Sequence, residues 1–277
     1  MLLCYQEDEQ CNVFIDLNHL TELTTVVVAD SSVSFGANVK ITDAITALQS
    51  SEHEVWNGIA HHMKQIGSYG VRNQGSLAGN LMMKHYHTDF PSDVFVCLET
   101  AGAQLEVVDH SGSVETVELT ALLTMNMNKK LILKIKINLD DQKETLSARN
   151  KGLHYLWSNN ISSSASESGE WVYKSFKVMP RSGNAHAYVN AGFMALFDKT
   201  NSKILNRPRI VFGGISSSFI HASVTEMFLS QREVTHDVFL EALGLLAEEL
   251  ILDDEPVLSS PIYRKQLAMG LFYKVMF

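Results

Sequence analysis

The stretch Val71–Asn80 constrains this chain more than any other, because its ten residues read Val-Arg-Asn-Gln-Gly-Ser-Leu-Ala-Gly-Asn. It shows neither the helical nor the strand period, and it lies between a helix-patterned segment and an apolar run. Gly75 and Gly79 bracket Ser76, so we expect the backbone to turn sharply there and to approach a ligand closely. The backbone amides, the Ser76 hydroxyl and the Asn80 side chain are donors suited to phosphate and carbonyl oxygens. Composition alone also fits an ordinary surface loop, so the stretch by itself leaves both interpretations open.

The composition is that of a globular protein. The 277 residues are 45% apolar and 19% charged, enough for one large domain or two modest ones. A net charge of −9 argues against a nucleic-acid or anionic-membrane partner. The sequence holds no apolar run of about 18 residues, so it predicts no transmembrane span. Its acidic start, without a basic and apolar leader, predicts no signal peptide.

The cysteines and histidines narrow the chemistry further. Three scattered cysteines suit a reducing compartment, so we expect a cytoplasmic protein, and they cannot supply the four thiolates of an iron–sulfur cluster. The eleven histidines include no strong zinc spacing. His85, His87, Asp89 and Asp93 could imitate a zinc or manganese site. Close spacing in a loop is common, however, and we assign no metal site.

Hydrophobic patterning in the first half predicts a mixture of strands and helices. The predicted strands are 12–18, 26–30, 33–38, 104–109, 114–119 and 131–137. The predicted helices are 43–49 after Thr42 as N-cap, 55–66 closed by Gly67, and 94–100 after Ser92 or Asp93 as N-cap. In these helices we place His61 and His62 on the wet side and Cys97 in the core.

A change in composition divides the chain. Residues 140–170 are polar and serine-rich, which is typical of a linker or a long surface loop. The second half predicts strands at 171–179, 187–197 and 209–215, with Gly213 and Gly214 in a turn rather than a nucleotide loop. Helices are predicted at 219–230, at 238–251 after Thr235 or Asp237, and from Pro261 after Ser260 as N-cap.

Five stretches, in the right order, resemble the flavin domain of the molybdenum hydroxylases, the xanthine dehydrogenase and aldehyde oxidase family. They cover most of the chain outside 140–170. Within the family, the run from Asn80 to His85 resembles aldehyde oxidases of the insect kind. The five stretches are Val13–Asn18 with Leu23 and Val33–Ala37; Val71–Leu81; Phe176–Arg181 with Asn184–Ala187 and Val189–Gly192; Arg209–Ile215 with Phe219–Ala222; and Tyr263–Ala268 with Gly270–Phe272.

The resemblance implies an α+β fold in two parts. Residues 1–140 would form a flavin-binding domain of the vanillyl-alcohol-oxidase type, incomplete at its N-terminus. Residues 141–170 would be a linker or insertion. Residues 171–277 would form a smaller α+β domain of the carbon monoxide dehydrogenase flavoprotein C-terminal type.

The resemblance also assigns FAD contacts. Residues 76–80 would lie along the phosphate and ribityl portion, and Lys177 would place its ammonium near the isoalloxazine ring. Asp93 would match an acidic contact residue, with Asp89 as a rival. Ile66 would lie near the adenine and Leu133 against the flavin. The implied FAD-binding residues are Ser76, Leu77, Ala78, Gly79, Asn80, Asp93, Leu133, Lys177 and Ile66.

The implied function is the last electron-transfer step of a molybdenum hydroxylase. Electrons would pass from iron–sulfur clusters to FAD and on to O₂ or NAD. The [2Fe–2S] clusters and the molybdopterin would belong to partner domains or subunits, and a homodimer is expected. This chain should not hydroxylate a substrate alone, and we assign it no catalytic residue.

One departure from the family pattern opens an alternative. The family's first glycine-rich phosphate loop is missing ahead of the matched region, so we expect weakened FAD affinity. The chain could then be a truncated, non-catalytic relic or interaction module that no longer binds FAD.

Overall fold

The computed structural model describes residues 15–140, 169–253 and 259–276, and its first half is built on a five-stranded antiparallel sheet. The strands run in the order β1-β2-β5-β3-β4. Val33 and Phe35 of β2 and Ile135 of β5 are buried, so one face of the sheet carries the core. The strands are β1 (Val26–Val28), β2 (Ser32–Gly36), β3 (Gln104–Asp109), β4 (Val114–Glu118) and β5 (Lys130–Asn138).

Helices cover that buried face. Trp56, Ile59, Leu81 and Phe95 from three of these helices are fully buried and join the strand residues in one core. A 3-10 helix, Leu119–Leu123, follows β4 and adds two further buried leucines. The helices are α1 (Thr21–Thr24), α2 (Ile41–Gln49), α3 (Glu54–Met63), α4 (Tyr69–Gln74), α5 (Leu77–Tyr86) and α6 (Asp93–Thr100).

The second half has its own sheet and core. The strands run in the order β10-β9-β7-β6, with β8 paired to β7. Phe193, Phe212, Phe239 and Phe272 meet at the centre of this core. The elements are β6 (Glu170–Val178), β7 (Val189–Asp198), β8 (Lys203–Ile204), β9 (Arg209–Gly213), β10 (Ile220–His221), α7 (Ser223–Leu229), α8 (His236–Glu249) and α9 (Pro261–Met276).

Strand β6 joins the two halves. Trp171 and Tyr173 pack into the first core, whereas Phe176 and Val178 pack into the second. Tyr173 lies so close to α3 that a Cβ at Gly58 would come within 2.5 Å of its ring. Helix α6 also packs against β7 and β9. The two halves therefore share elements across a continuous interface.

Most of the predicted elements are confirmed. The hairpin of β3 and β4, the strand β5, the β6–β7 pair and the helix from Pro261 occur as expected. Ser92 caps α6, and Thr235 caps α8. Gly214 has a left-handed φ of 81°, which fits the predicted turn. Cys97 is fully buried, as predicted.

Several boundaries were wrong. Residues 15–18 form no strand, and 12–14 lie outside the described residues. Helix α2 begins at Ile41, so Lys40 is its N-cap residue and makes no side-chain cap. Thr42 lies inside the helix and donates to Asn73. The predicted helix 219–230 is split: Ile220 and His221 form β10, and the helix starts at Ser223.

Strand β5 departs from strict alternation. Its pairing with β3 shifts between Glu106 and Val107, which is the signature of a β-bulge. Strict alternation would place Leu131 on the same buried face as Ile135. On the N-terminal side of the shift, however, Ile132 is buried and Leu131 is exposed. Within the described part of the chain, no helix is long and apolar enough to cross a bilayer.

Candidate functional site

The stretch Val71–Asn80 is helical rather than a loop, which corrects the sequence prediction. Ser68 accepts a hydrogen bond from the Val71 N–H and begins α4. Ser76 accepts from the Gly79 N–H at 3.1 Å and begins α5. A Cβ at Gly79 would lie 2.9 Å from the capping hydroxyl, so glycine permits the close cap. Gly75 has an extended φ of −72° that any residue can adopt, so the sharp turn does not depend on it.

The backbone amides of this stretch already have partners. The Leu77 N–H donates to the Val39 carbonyl at 3.0 Å, and the Ala78 N–H donates to the Ala37 carbonyl at 3.1 Å. The Gly79 and Asn80 amides bond to Ser76. Hydrogen bonds therefore join the start of α5 to the segment that follows β2. We had expected its first amides to be free donors for a ligand, but they are already bonded within the protein.

A small cavity of about 190 Å³ lies beside the start of α5. Ser76, Ala78 and Gly79 line it together with Met82 and Ile132. Sites for whole ligands generally measure about 300–1,000 Å³, so this cavity matches only part of a dinucleotide.

The Asp93 carboxylate, at the first residue of α6, is the centre of a buried polar cluster. Lys177 of β6 places its Nζ 2.8 Å from Asp93 Oδ2. Asn190 of β7 donates from Nδ2 to Asp93 Oδ1 at 2.9 Å, and His62 Nε2 lies 3.3 Å from the same oxygen. Lys177 also donates to the Gln65 carbonyl at 3.1 Å. The cluster thus connects α3 and α6 of the first half with β6 and β7 of the second.

The electrostatics of the cluster favour an ionised carboxylate. Burial alone would raise the pKa of Asp93, but the hydrogen bond and charge of His62 and the charge of Lys177 outweigh it and lower that pKa. The Lys177 side chain is only 2% exposed. Its ammonium is consequently neutralised by Asp93 rather than presented freely to solvent.

The structure brings Asn80 to the same cluster. The Ser92 hydroxyl donates to Asn80 Oδ1 at 2.6 Å and, as the α6 cap, accepts from the Phe95 N–H. Residues 76–80, Asp93 and Lys177 therefore form one continuous region. Asp89, the rival of Asp93, is exposed beyond α5.

The side chains of the two apolar candidates are not members of the polar cluster. Ile66 is 5% exposed and belongs to the first core, so its side chain packs against protein. Leu133 is partly buried, and its carbonyl accepts from the Ala37 N–H at 2.9 Å. It is thus linked through Ala37 to Ala78 rather than to Asp93.

Sequence reasoning missed two members of the cluster. His62 was placed on the wet side of α3 but is fully buried, while its neighbour His61 is exposed. Asn190 was noted only as part of a matching stretch. Among the described residues, His62 Nδ1 and Asn190 Oδ1 are buried without a hydrogen-bond partner. A buried polar pair at one carboxylate has no local sequence signal, because its partners are far apart in the chain.

Comparisons with protein families decide the assignment. A family described as the FAD binding domain in molybdopterin dehydrogenase matches residues 1–138, and the CO dehydrogenase flavoprotein C-terminal domain matches residues 174–277. The chain belongs to the flavin-domain family of the molybdenum hydroxylases. Both parts of the resemblance are thereby confirmed, including the α+β fold and FAD as the family's cofactor.

Individual relatives agree with this family. The chain is 28% identical over 281 residues to the abscisic-aldehyde oxidase of Arabidopsis thaliana, and 29% identical over 278 residues to an indole-3-acetaldehyde oxidase of the same plant. Each match covers 98% of this chain but only 19% of the relative. The suggested leaning toward insect enzymes stays a prediction.

Solved structures show the same fold. A carbon monoxide dehydrogenase of Hydrogenophaga pseudoflava aligns with a TM-score of 0.68 at 17% identity, covering 94% of this chain and 78% of that one. Quinoline 2-oxidoreductase of Pseudomonas putida 86 aligns with a TM-score of 0.67 at 18% identity, covering 94% and 79%.

Proposed function

We propose that this chain binds FAD as the electron-transferring part of a molybdenum hydroxylase. The observation that carries the proposal is the continuous polar region from Ser76 through Asn80 and Ser92 to Asp93 and Lys177. Its members occupy the positions that the family resemblance assigned to FAD. They come from both halves of the chain, which fits the two matched families.

The residues divide into two groups by position. Ser76, Ala78 and Gly79 would hold the ribityl and phosphate portion at the cavity beside α5. Lys177, with its charge set by Asp93, would face the ring portion, and Leu133 and Ile66 would supply apolar contact or support. FAD, when bound, would accept electrons from a donor and deliver them to O₂ or NAD. The protein would contribute a fixed Lys177–Asp93 ion pair and a fixed position for the cofactor.

Larger assemblies belong to the same proposal. The chain spans 19% of the length of the plant aldehyde oxidases it matches, so the oxidation of an aldehyde would need domains beyond this chain. We propose iron–sulfur and molybdopterin domains as its partners, a homodimer as its assembly and the cytoplasm as its compartment. We also propose that the chain is divided into units at 1–140 and 171–277, joined by 141–170.

A flavin titration tests the proposal. FAD is added to the purified full chain, and quenching of flavin fluorescence is recorded for the wild type, Asn80→Ala and Lys177→Met. Micromolar binding should weaken about tenfold or more in both variants. Lys174→Met is the matched control, because Lys174 is also on β6 but is 52% exposed and pairs with Glu54 at the surface. It should bind FAD like the wild type.

A folded chain that binds no FAD would overturn the proposal. That result would support a second candidate function. Two observations agree with it: the first amides of α5 already have hydrogen-bond partners, and the cavity beside them is small. The chain would then be a non-catalytic relative that retains the fold as an interaction module.

A further inference from the structure

A second and larger cleft, of about 920 Å³, lies between the two halves of the molecule. One wall is the polar face of the first sheet, with Ser32 and Ser34 of β2, Gln104 of β3 and Thr116 of β4. The other wall carries residues 206–209, His221 and Glu226 from the second half, and Trp171 and Met194 also line the cleft. Its volume is in the range that holds small organic ligands.

The second wall presents cations to the cleft and keeps its carboxylates behind them. Arg207 and Arg209 are 34% and 28% exposed, whereas their partners Glu226 and Glu99 are 1% and 6% exposed. Arg207 Nη2 lies 3.0 Å from Glu226, and Arg209 Nη1 lies 3.1 Å from Glu99. Buried carboxylates of this kind orient the guanidinium groups while leaving their outer N–H groups available.

His221 adds to this cationic wall. Its Nδ1 lies 2.6 Å from Glu226, and its Nε2 lies 3.4 Å from Glu99. Burial alone would lower the pKa of His221, but hydrogen bonds and charge from Glu226 and Glu99 outweigh it and raise that pKa to about 9. The imidazole is therefore charged at neutral pH.

Trp171 supplies an independent sign of a ligand. It lines the cleft and is only 8% exposed, and within the described ranges its Nε1 has no hydrogen-bond partner. A buried donor without a partner costs free energy unless another group accepts from it. On the wall formed by the first sheet, Glu118 is the carboxylate that lines the cleft, and it accepts a hydrogen bond from Gln104 Nε2 at 3.0 Å.

We propose that this cleft is a binding site for a small organic anion that carries one carboxylate or phosphate group. The anionic group would accept hydrogen bonds from Arg207 and Arg209. His221, whose two ring nitrogens face Glu226 and Glu99, would add positive charge behind them. The organic part of the ligand would fill the cleft beside Trp171 and Met194, which border it from the core. The hydroxyls of Ser32, Ser34 and Thr116 would contact polar edges of the ligand. This site shares no residue with the proposed FAD region.

Calorimetric titration of the full chain tests the proposal with two matched pairs of probes. Adenosine 5′-monophosphate is compared with adenosine, and indole-3-acetate is compared with indole-3-acetamide. At least one anion should bind with a submillimolar Kd, and its uncharged counterpart should bind at least tenfold more weakly. The probe that binds decides between phosphate and carboxylate. The indole N–H resonance of Trp171, assigned with Trp171→Phe, should shift on binding.

Variants locate the binding in the cleft. Arg207→Gln and Arg209→Gln should each weaken the anion at least tenfold, and Ser34→Ala, which breaks no ion pair, should weaken it severalfold. Arg232→Gln is the matched control, because Arg232 lies over the Phe228 ring and does not line the cleft. An excess of FAD should leave probe binding unchanged, which separates this site from the FAD region.

Two results would overturn the proposal. One is that neither anion binds to the folded chain. The other is binding that Arg207→Gln and Ser34→Ala both leave unchanged while the protein remains folded by circular dichroism.

Discussion

At the scale of single residues, Asp93 is a buried carboxylate on which a buried cation depends. Its carboxylate neutralises Lys177, whose side chain is 2% exposed, and it accepts a hydrogen bond from the side-chain amide of Asn190. We expect Asp93→Asn to lower the free energy of unfolding by about 3–5 kcal/mol, because it leaves a buried ammonium without a counter-charge. Urea denaturation at pH 7 measures the change.

The same residue gives a control and a pH dependence. Glu115→Gln breaks an exposed pair with Lys130 and should cost less than about 1 kcal/mol. Because the folded state lowers the pKa of Asp93 below the ordinary 3.8, its contribution is present above that pH and is lost as the pH falls through the folded pKa. An Asp93→Asn variant as stable as Glu115→Gln would contradict this account.

At the scale of elements, α3 packs closely against β6, the strand that both cores share. Gly58 lets the buried Tyr173 ring lie directly on α3, and a Cβ there would be 2.5 Å from the ring. We expect Gly58→Ala to destabilise the protein by about 1–3 kcal/mol, because a closely packed interface must shift. Thermal unfolding followed by circular dichroism provides the measurement.

A second helical glycine separates this effect from helix propensity. Gly244 lies inside α8, and a Cβ there meets no atom within 4 Å. Gly244→Ala should stabilise the protein by up to about 1 kcal/mol, because alanine favours a helix. Equal and stabilising effects at both positions would show that the α3–β6 contact is not close-packed.

The elements also show how far the sequence could predict this molecule. Helical periodicity located α8, because burial of one face dictates that pattern, and Ser260 before Pro261 located the start of α9. The stretch Val71–Asn80 has no such period, since short helices α4 and α5 are held by caps and by bonds to residues 37–41. The bulge in β5 follows from its pairing with β3, which the strand's own sequence does not encode.

The candidate site was predictable in part for the same reason. Family resemblance named Asn80, Asp93 and Lys177, and the structure places them in one region. It could not name His62, because the helical pattern alone does not show that α6 and β6 cover that side of α3. Long-range contacts decided which polar residues are buried.

At the scale of the whole molecule, the two halves should unfold together. Strand β6 contributes to both cores, and α6 carries the ion pairs of Asp93 with Lys177 and of Glu99 with Arg209, one cluster on each side of the junction. Loss of either half would expose the buried side chains of β6 and leave charges unpaired. Such sharing of elements favours one cooperative transition over two.

Hydrogen exchange with mass spectrometry tests this cooperativity. Peptides from α3 in the first half and from α8 in the second should show the same free energy of opening, within about 1 kcal/mol. Gly58→Ala, whose strain acts at the α3–β6 contact, should lower protection in both peptides by the same amount, because the substituted interface supports both cores. If α8 kept its full protection while α3 lost it, the two halves would be independent units, and the shared strand would not couple them.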